Sequence, residues 1–386
     1  MKYLSILLAL LLFACSESTQ MVEEVIDEVR TQYIPDKRIA LFEIEAESKA
    51  GAVQLNGVTN QPDAYEDLRR RLESVGIGYV DSIRVLPDEI VGEESFAVVK
   101  LSVANIRSQP KHSSELSTQA TLGTPLKVYD RRENWYRIQT PDGYLGWLDA
   151  GGLELMNKAR FNIWKEQDKV IYTKDFGFVY AMDSTQNVVT DLVAGNILGL
   201  QETAGDTIKV MLPDGRKGMV NINEVRTYEG WLQQQPESDA ILAAAYRHLG
   251  RPYLWGGTSG KGMDCSGFTK TVFFENGLLL PRDASQQVHV GIDLRYDTTW
   301  QNLLPGDFLF FGRKATPELK ERITHVAIYA GEGKIIHASG RVMVESLNRT
   351  DDDFTQKRFD TFVRAKRMLQ SVGENGVIPV RELEVY

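Results

Sequence analysis

The spacing of hydrophobic residues changes several times along this chain. From Leu4 to Ala14 apolar residues run almost unbroken. That run is too short to span a bilayer, which takes about 20 residues. Met21 to Tyr33 switches to amphipathic helical spacing. Arg38–Glu45 alternates like a strand, Val53–Gly57 reads as a second short strand, Pro62–Leu72 as a helix and Tyr79–Leu86 as a further strand. These predict a small α+β module over 21–95, with no catalytic grouping in it. Beyond it come short alternating runs such as Leu126–Tyr129 and Trp135–Ile138. Residues 371–386, with Gly373 and Gly376, read as a terminal extension.

An internal repeat organises the middle. Thr140-Pro-Asp-Gly-Tyr-Leu-Gly-Trp147 recurs as Leu212-Pro-Asp-Gly-Arg-Lys-Gly-Met219, an offset of 72 residues that also pairs Gly123 with Gly195 and Leu126 with Leu198. Glycines and Pro-Asp-Gly turns recur where backbone conformation is most constrained. Each unit, 97–156 and 165–228, is predicted to be a small barrel of short strands.

The candidate chemistry lies in 238–370. Cys265 sits in Asp264-Cys-Ser-Gly-Phe268, and the only other cysteine is Cys15. Upstream, Pro252 to Gly262 is too glycine-rich for a helix. Downstream, Phe268, Val272 and Phe273 have helical spacing that ends near Gly277, and Asp264 suits an N-cap. Cys265 then falls in the first helical turn, where the dipole and free N–H groups favour thiolate over thiol. His325 opens one strand-like run and His337 closes the next, with Gly331-Glu-Gly333 between them. A simple two-residue loop sets the histidines on opposite faces, whereas a glycine bulge sets them on the same face. One could then deprotonate the thiol while the other orients its ring.

Residues 238–370 resemble the NlpC-type cell-wall peptidases, circularly permuted relatives of papain. Arg251-Pro-Tyr-Leu-Trp-Gly-Gly257, Asp264–Phe268, Leu304-Pro-Gly-Asp307, His325-Val-Ala-Ile-Tyr329 and Ile336-His-Ala338 carry the resemblance. The repeats resemble bacterial SH3-like domains, the second being more divergent. The implied fold class is multi-domain: an α+β papain-like catalytic domain preceded by two small β-barrels and the α+β N-terminal module. The resemblance implies Cys265 as nucleophile, His325 as general base, His337 as orienting residue and Tyr253 as oxyanion donor. The Cys265 backbone N–H is a natural second donor, and a structural role for Tyr253 is the alternative.

The implied reaction is hydrolysis of the γ-D-glutamyl–diamino acid bond in peptidoglycan peptides through a thiolate–imidazolium pair. In one branch a barrel closes the cleft, so that only peptides with a free N-terminal L-alanine enter. Asp264, Ser266, Trp255, Asp283, Ser285, Glu115 and Tyr144 correspond to its substrate-binding positions. Helix capping is another use of Asp264, and the two roles are compatible. Ala284 departs from that branch, which has a second serine there. A non-catalytic wall-binding protein and an amidase or acyltransferase on the same fold are the competing readings.

Leu12-Phe-Ala-Cys15 resembles a bacterial lipobox, so residues 1–15 read as a lipoprotein signal with lipidation at Cys15. The resemblance implies the cell envelope, at the periplasmic or outer-membrane face, with contact to the membrane through Cys15. A net charge of −9 argues against nucleic-acid binding. No Cys/His cluster has metal-ligand spacing, so no metal or cofactor is expected. A monomer is expected.

Overall fold

The computed structural model describes residues 2–49, 52–295 and 299–386, with the side chains of residues 2–17 and of Thr185 outside the description. The expected lipidation at Cys15 therefore lies outside the described side chains. Among the described residues no helix is long and apolar enough to cross a membrane. The chain divides into two compact units, residues 2–95 with 128–131, and the remainder of 96–386.

In the first unit, the helix Lys2–Tyr33 buries Val22, Ile26 and Val29. The helix Pro62–Ser74 buries Ala64, Leu68 and Leu72, four residues apart on one face. Both stripes share a core with a sheet of Phe42–Lys49, Ala52–Thr59 and Tyr79–Val85. The first strand begins later than the alternation from Arg38 suggested. Arg38 instead folds back on Asp36, whose carboxylate accepts from its backbone N–H at 2.9 Å.

The second unit contains two seven-stranded sheets with the same strand order. Pro125–Arg132 corresponds to Ile197–Ala204, Trp135–Gln139 to Thr207–Met211, and Leu145–Asp149 to Lys217–Asn221. Each pair is displaced by the 72 residues of the sequence repeat. The two Pro-Asp-Gly turns match in detail. Gly143 and Gly215 have φ of 84° and 86°, and their N–H groups donate to Thr140 and Leu212 carbonyls at 2.8 and 2.9 Å.

The rest of this unit is a six-stranded antiparallel sheet packed against helices. Its order is Ile292–Leu294, Phe362–Arg367, Phe308–Arg313, Arg322–Gly331, Lys334–Ser339, Arg341–Ser346. The helix Cys265–Glu275 sets Phe268, Val272 and Phe273 against Phe308, Phe310, Val326, Ile328 and Ile336. Phe273 meets Phe308 edge-on with centroids 5.0 Å apart. This packing fixes the start of that helix beside the strand that carries His325.

Candidate active site

Asp264 caps the helix, with Oδ1 accepting from the Gly267 N–H at 2.7 Å. Cys265 therefore occupies the first turn, and its own N–H has no protein acceptor among the described residues. The sulfur accepts from the N–H groups of Val326 and Ser266. Val326 directly follows His325, so the thiol meets the histidine strand at the expected place.

The hairpin supplies the register. Ile328 pairs with Ile336 and Tyr329 with Ile335, but Gly331 pairs with Lys334, leaving one extra residue on the first strand. Gly331, Glu332 and Gly333 all have positive φ, at 99°, 52° and 75°, which glycine adopts without the Cβ penalty. Continuing the Ile328–Ile336 register sets His325 opposite Ser339, diagonal to His337 on one face. Their rings are nearly perpendicular, and His325 Nε2 lies 2.7 Å from His337 Nδ1.

Behind them stands Glu345, which sequence reasoning did not single out. Its Oε2 lies 2.8 Å from His337 Nε2. The contact with His337 holds its carboxyl below the usual carboxylate range. An ionised carboxylate only accepts, so the proton of His337 is placed on Nε2, the nitrogen beside Glu345, although that N–H does not point straight at the oxygen. His337 Nδ1 then accepts from His325 Nε2–H, and the lone pair of His325 is left on Nδ1. The order Glu345–His337–His325 thus produces a base.

Burial overrides the helix start. It pushes the Cys265 thiol up to about 11, with the Asp264 carboxylate adding to the effect, while the N–H groups of Val326 and Ser266 and the Arg282 cation work against it. Burial also pushes His325 well below its ordinary range, helped by the Arg358 cation, and lowers His337, against the pull of Glu345. Burial thus opposes both charges of the expected thiolate–imidazolium pair by desolvation. Tyr253 is likewise held as a phenol, raised to about 12 by burial and then by the charges of Cys265 and Asp264. A protonated hydroxyl can donate.

The expected substrate contacts divide into two groups. Asp264 and Ser266 are buried. Asp264 accepts from Gly267, Gly256, Ser266 and both terminal nitrogens of Arg282. Ser266 Oγ is engaged by Arg282 at 3.0 Å. Both residues thus belong to a buried ion-pair network, a structural role beside the substrate contact that the resemblance implies. Arg282, its centre, is only 1% exposed and also donates to Thr118 of the first barrel at 2.9 Å.

The remaining positions meet where the first barrel rests on the catalytic loops. Trp255, 64% exposed, donates its Nε1–H to Glu115 Oε1 at 2.7 Å. Tyr144 donates its hydroxyl to Asp283 Oδ2 at 3.2 Å. Ser285 is half-buried in the short helix Ala284–Gln287. Thr258 bonds Gln119 through both N–H and hydroxyl, and Lys270 bonds Asp142. Gly256, at φ 78°, brings the loop so close that a Cβ there would lie 2.2 Å from the Leu116 carbonyl oxygen.

The NlpC/P60 family pattern matches residues 250–364, and the bacterial SH3 domain pattern matches 102–154. A gamma-D-glutamyl-L-lysine dipeptidyl-peptidase of Bacillus cereus is 30% identical over 59% of this chain and 68% of its own length. The chain belongs to the NlpC/P60 family. A second enzyme of that name, from Bacillus subtilis, is 29% identical over 58% of this chain and 72% of its own. The crystal structure of an NlpC/P60 family protein from Bacillus cereus superposes with a TM-score of 0.62 at 25% identity, covering 71% of this chain and all of the other. The SH3-type barrel and the NlpC/P60 domain are thus combined in one chain, as the repeat and the Cys265 helix implied.

Proposed function

We propose that this NlpC/P60 protein is a cysteine endopeptidase that hydrolyses γ-D-glutamyl–diamino acid bonds in peptidoglycan stem peptides. The observation that carries this reading is the ordered line of Glu345, His337 and His325, on a strand whose next residue, Val326, lies at the buried thiol of Cys265. The names of its relatives support the substrate class.

Each part has a physical task. As the scissile carbonyl arrives, the thiol passes its proton to His325 Nδ1 and the sulfur attacks the carbonyl carbon. The charge that appears on His325 is spread toward His337 and Glu345. In this reading the Cys265 N–H and the Tyr253 hydroxyl are the donors to the oxyanion. The C–N bond then breaks, and the leaving amine takes the proton from His325. Water activated by the same imidazole opens the thioester and returns the proton to sulfur.

The contacts of Glu115 with Trp255 and Tyr144 with Asp283 support a cleft closed by the first barrel. Such a cleft suits small muropeptides with a free N-terminal L-Ala better than polymeric wall. We read the catalytic half as a permuted papain-type fold, the repeat as two SH3-like barrels, and the envelope as the site of action, anchored through Cys15. A role in murein recycling follows from the preference for small fragments.

The test is incubation with L-Ala-γ-D-Glu-L-Lys and mass spectrometry of the products. Release of L-Ala-D-Glu and lysine is expected. Release of lysine from an N-acetylated peptide at an equal rate would remove the free-terminus preference. No release from either would refute the peptidase reading.

A further inference from the structure

Arg358 is the cation that the site does not otherwise explain. It lies on the short helix Gln356–Thr361 and is only 8% exposed. Its guanidinium stands over the ring of buried Phe311, 5.7 Å from the centroid. The same ring also meets His325, with centroids 5.8 Å apart. Arg358 Nη2 donates to Ser339 Oγ at 3.2 Å. Ser339 lies two residues beyond His337 on the same strand and so on the same face. The Tyr253 loop joins here as well, its N–H donating to the Gly340 carbonyl at 2.9 Å. Arg358 therefore stands among the groups assigned to the reaction.

No carboxylate lies within ion-pair distance of Arg358 among the described residues. Glu345, the acid that acts on it most, is engaged with His337. A guanidinium offers five N–H donors, and one hydroxyl acceptor leaves most of that fork open. A largely buried charge without a counter-ion is unfavourable unless something supplies one. The planar fork suits a carboxylate, which it binds through two parallel bonds.

We propose that Arg358 is a substrate-recognition residue that binds a free carboxylate of the peptide next to the scissile bond. This assignment rests on the peptidase reading and extends it. Two carboxylates flank that bond in a γ-D-glutamyl-L-lysine peptide: the α-carboxylate of the D-glutamyl residue and the carboxylate of the leaving lysine. Binding either would also neutralise a cation that, in the free enzyme, opposes protonation of His325 and His337. Substrate would thereby strengthen the base that is to take the thiol proton.

The experiment compares three peptides with the wild type, Arg358→Gln and Arg358→Lys: L-Ala-γ-D-Glu-L-Lys, its D-isoglutaminyl analogue and its lysinamide analogue. The wild type should lose about thirtyfold or more in kcat/KM on one of the two amides, the range for truncating one partner of a buried charge pair. Arg358→Gln should lose as much on the diacid and nothing further on that amide, with Arg358→Lys recovering part of the loss. Loss on the isoglutaminyl peptide assigns the D-glutamyl carboxylate, and loss on the lysinamide assigns the leaving side. Equal cleavage of all three peptides by the wild type overturns the proposal even if neither variant folds. No cleavage of any of them overturns the peptidase reading as well.

Discussion

His325 Nε2 and His337 Nδ1 lie 2.7 Å apart across a hairpin that, with a simple loop, would hold them on opposite faces. The extra residue between Tyr329 and Gly331 rotates the pairing by one position. A one-residue change in register exchanges the two faces of a strand. Deleting Ala330, the extra residue, leaves Tyr329 paired with Ile335 around an ordinary two-residue loop, so both imidazoles stay on one face and activity should be retained. Circular dichroism and hydrolysis of the tripeptide check this. Loss of turnover in a folded deletion variant would mean that the shared face is not what the turn provides.

Glu345 fixes the proton order behind the base. Glu345→Ala should lower kcat by about 10- to 100-fold, toward the lower end of what general-base catalysis contributes, with little change in KM. Glu345→Asp should recover part of the loss. A rise in KM at constant kcat would instead make Glu345 a binding group.

The buried thiol gives a signed pH dependence. Below its ordinary value of about 8.5, Cys265 is protonated in folded and unfolded chains alike, and its contribution to stability is fully present. Above that value the unfolded chain ionises first, because the folded thiol is raised to about 11. Stability should then fall with rising pH toward 11, by up to about 1.4 kcal/mol per unit, relative to Cys265→Ala. Urea unfolding of the two proteins at several pH values measures the difference. Iodoacetamide alkylation should accelerate over the same range, whereas a rate flat from neutral pH upward would indicate a resting thiolate.

Asp264 is the anion that Arg282 is buried against. Asp264→Ala leaves Arg282 buried without its anion, so stability should drop by about 3–5 kcal/mol, read by urea unfolding. Unchanged stability would mean that Arg282 does not depend on this carboxylate.

Gly256 sets the contact between barrel and catalytic loop. Gly256→Ala meets the Leu116 carbonyl and an unfavourable φ together, which should destabilise by about 1–3 kcal/mol. The same change should relax discrimination against N-acetylated peptides. Thermal unfolding and the ratio of rates on free and acetylated substrate test both effects.

The parts of this site that are local in sequence were legible there. Asp264 and the Phe268–Val272–Phe273 spacing mark the helix, and Gly331 and Gly333 mark a hairpin able to shift register. The repeat was legible because its turns demand glycine at fixed positions. Glu345, Arg282 and Arg358 were not legible, because charged residues are common and these matter only through burial and a distant partner. The burial acting on Cys265 was not legible for the same reason. Its place at a helix start is local, but the desolvation that outweighs it comes from strands some sixty residues on, around Val326.

The most direct test of the central claim is the rate of lysine release from L-Ala-γ-D-Glu-L-Lys by the wild type, Cys265→Ala and His325→Ala, all confirmed as folded. The account expects release by the wild type and a loss of at least about 10³-fold in each variant. Release by Cys265→Ala at the wild-type rate would contradict it.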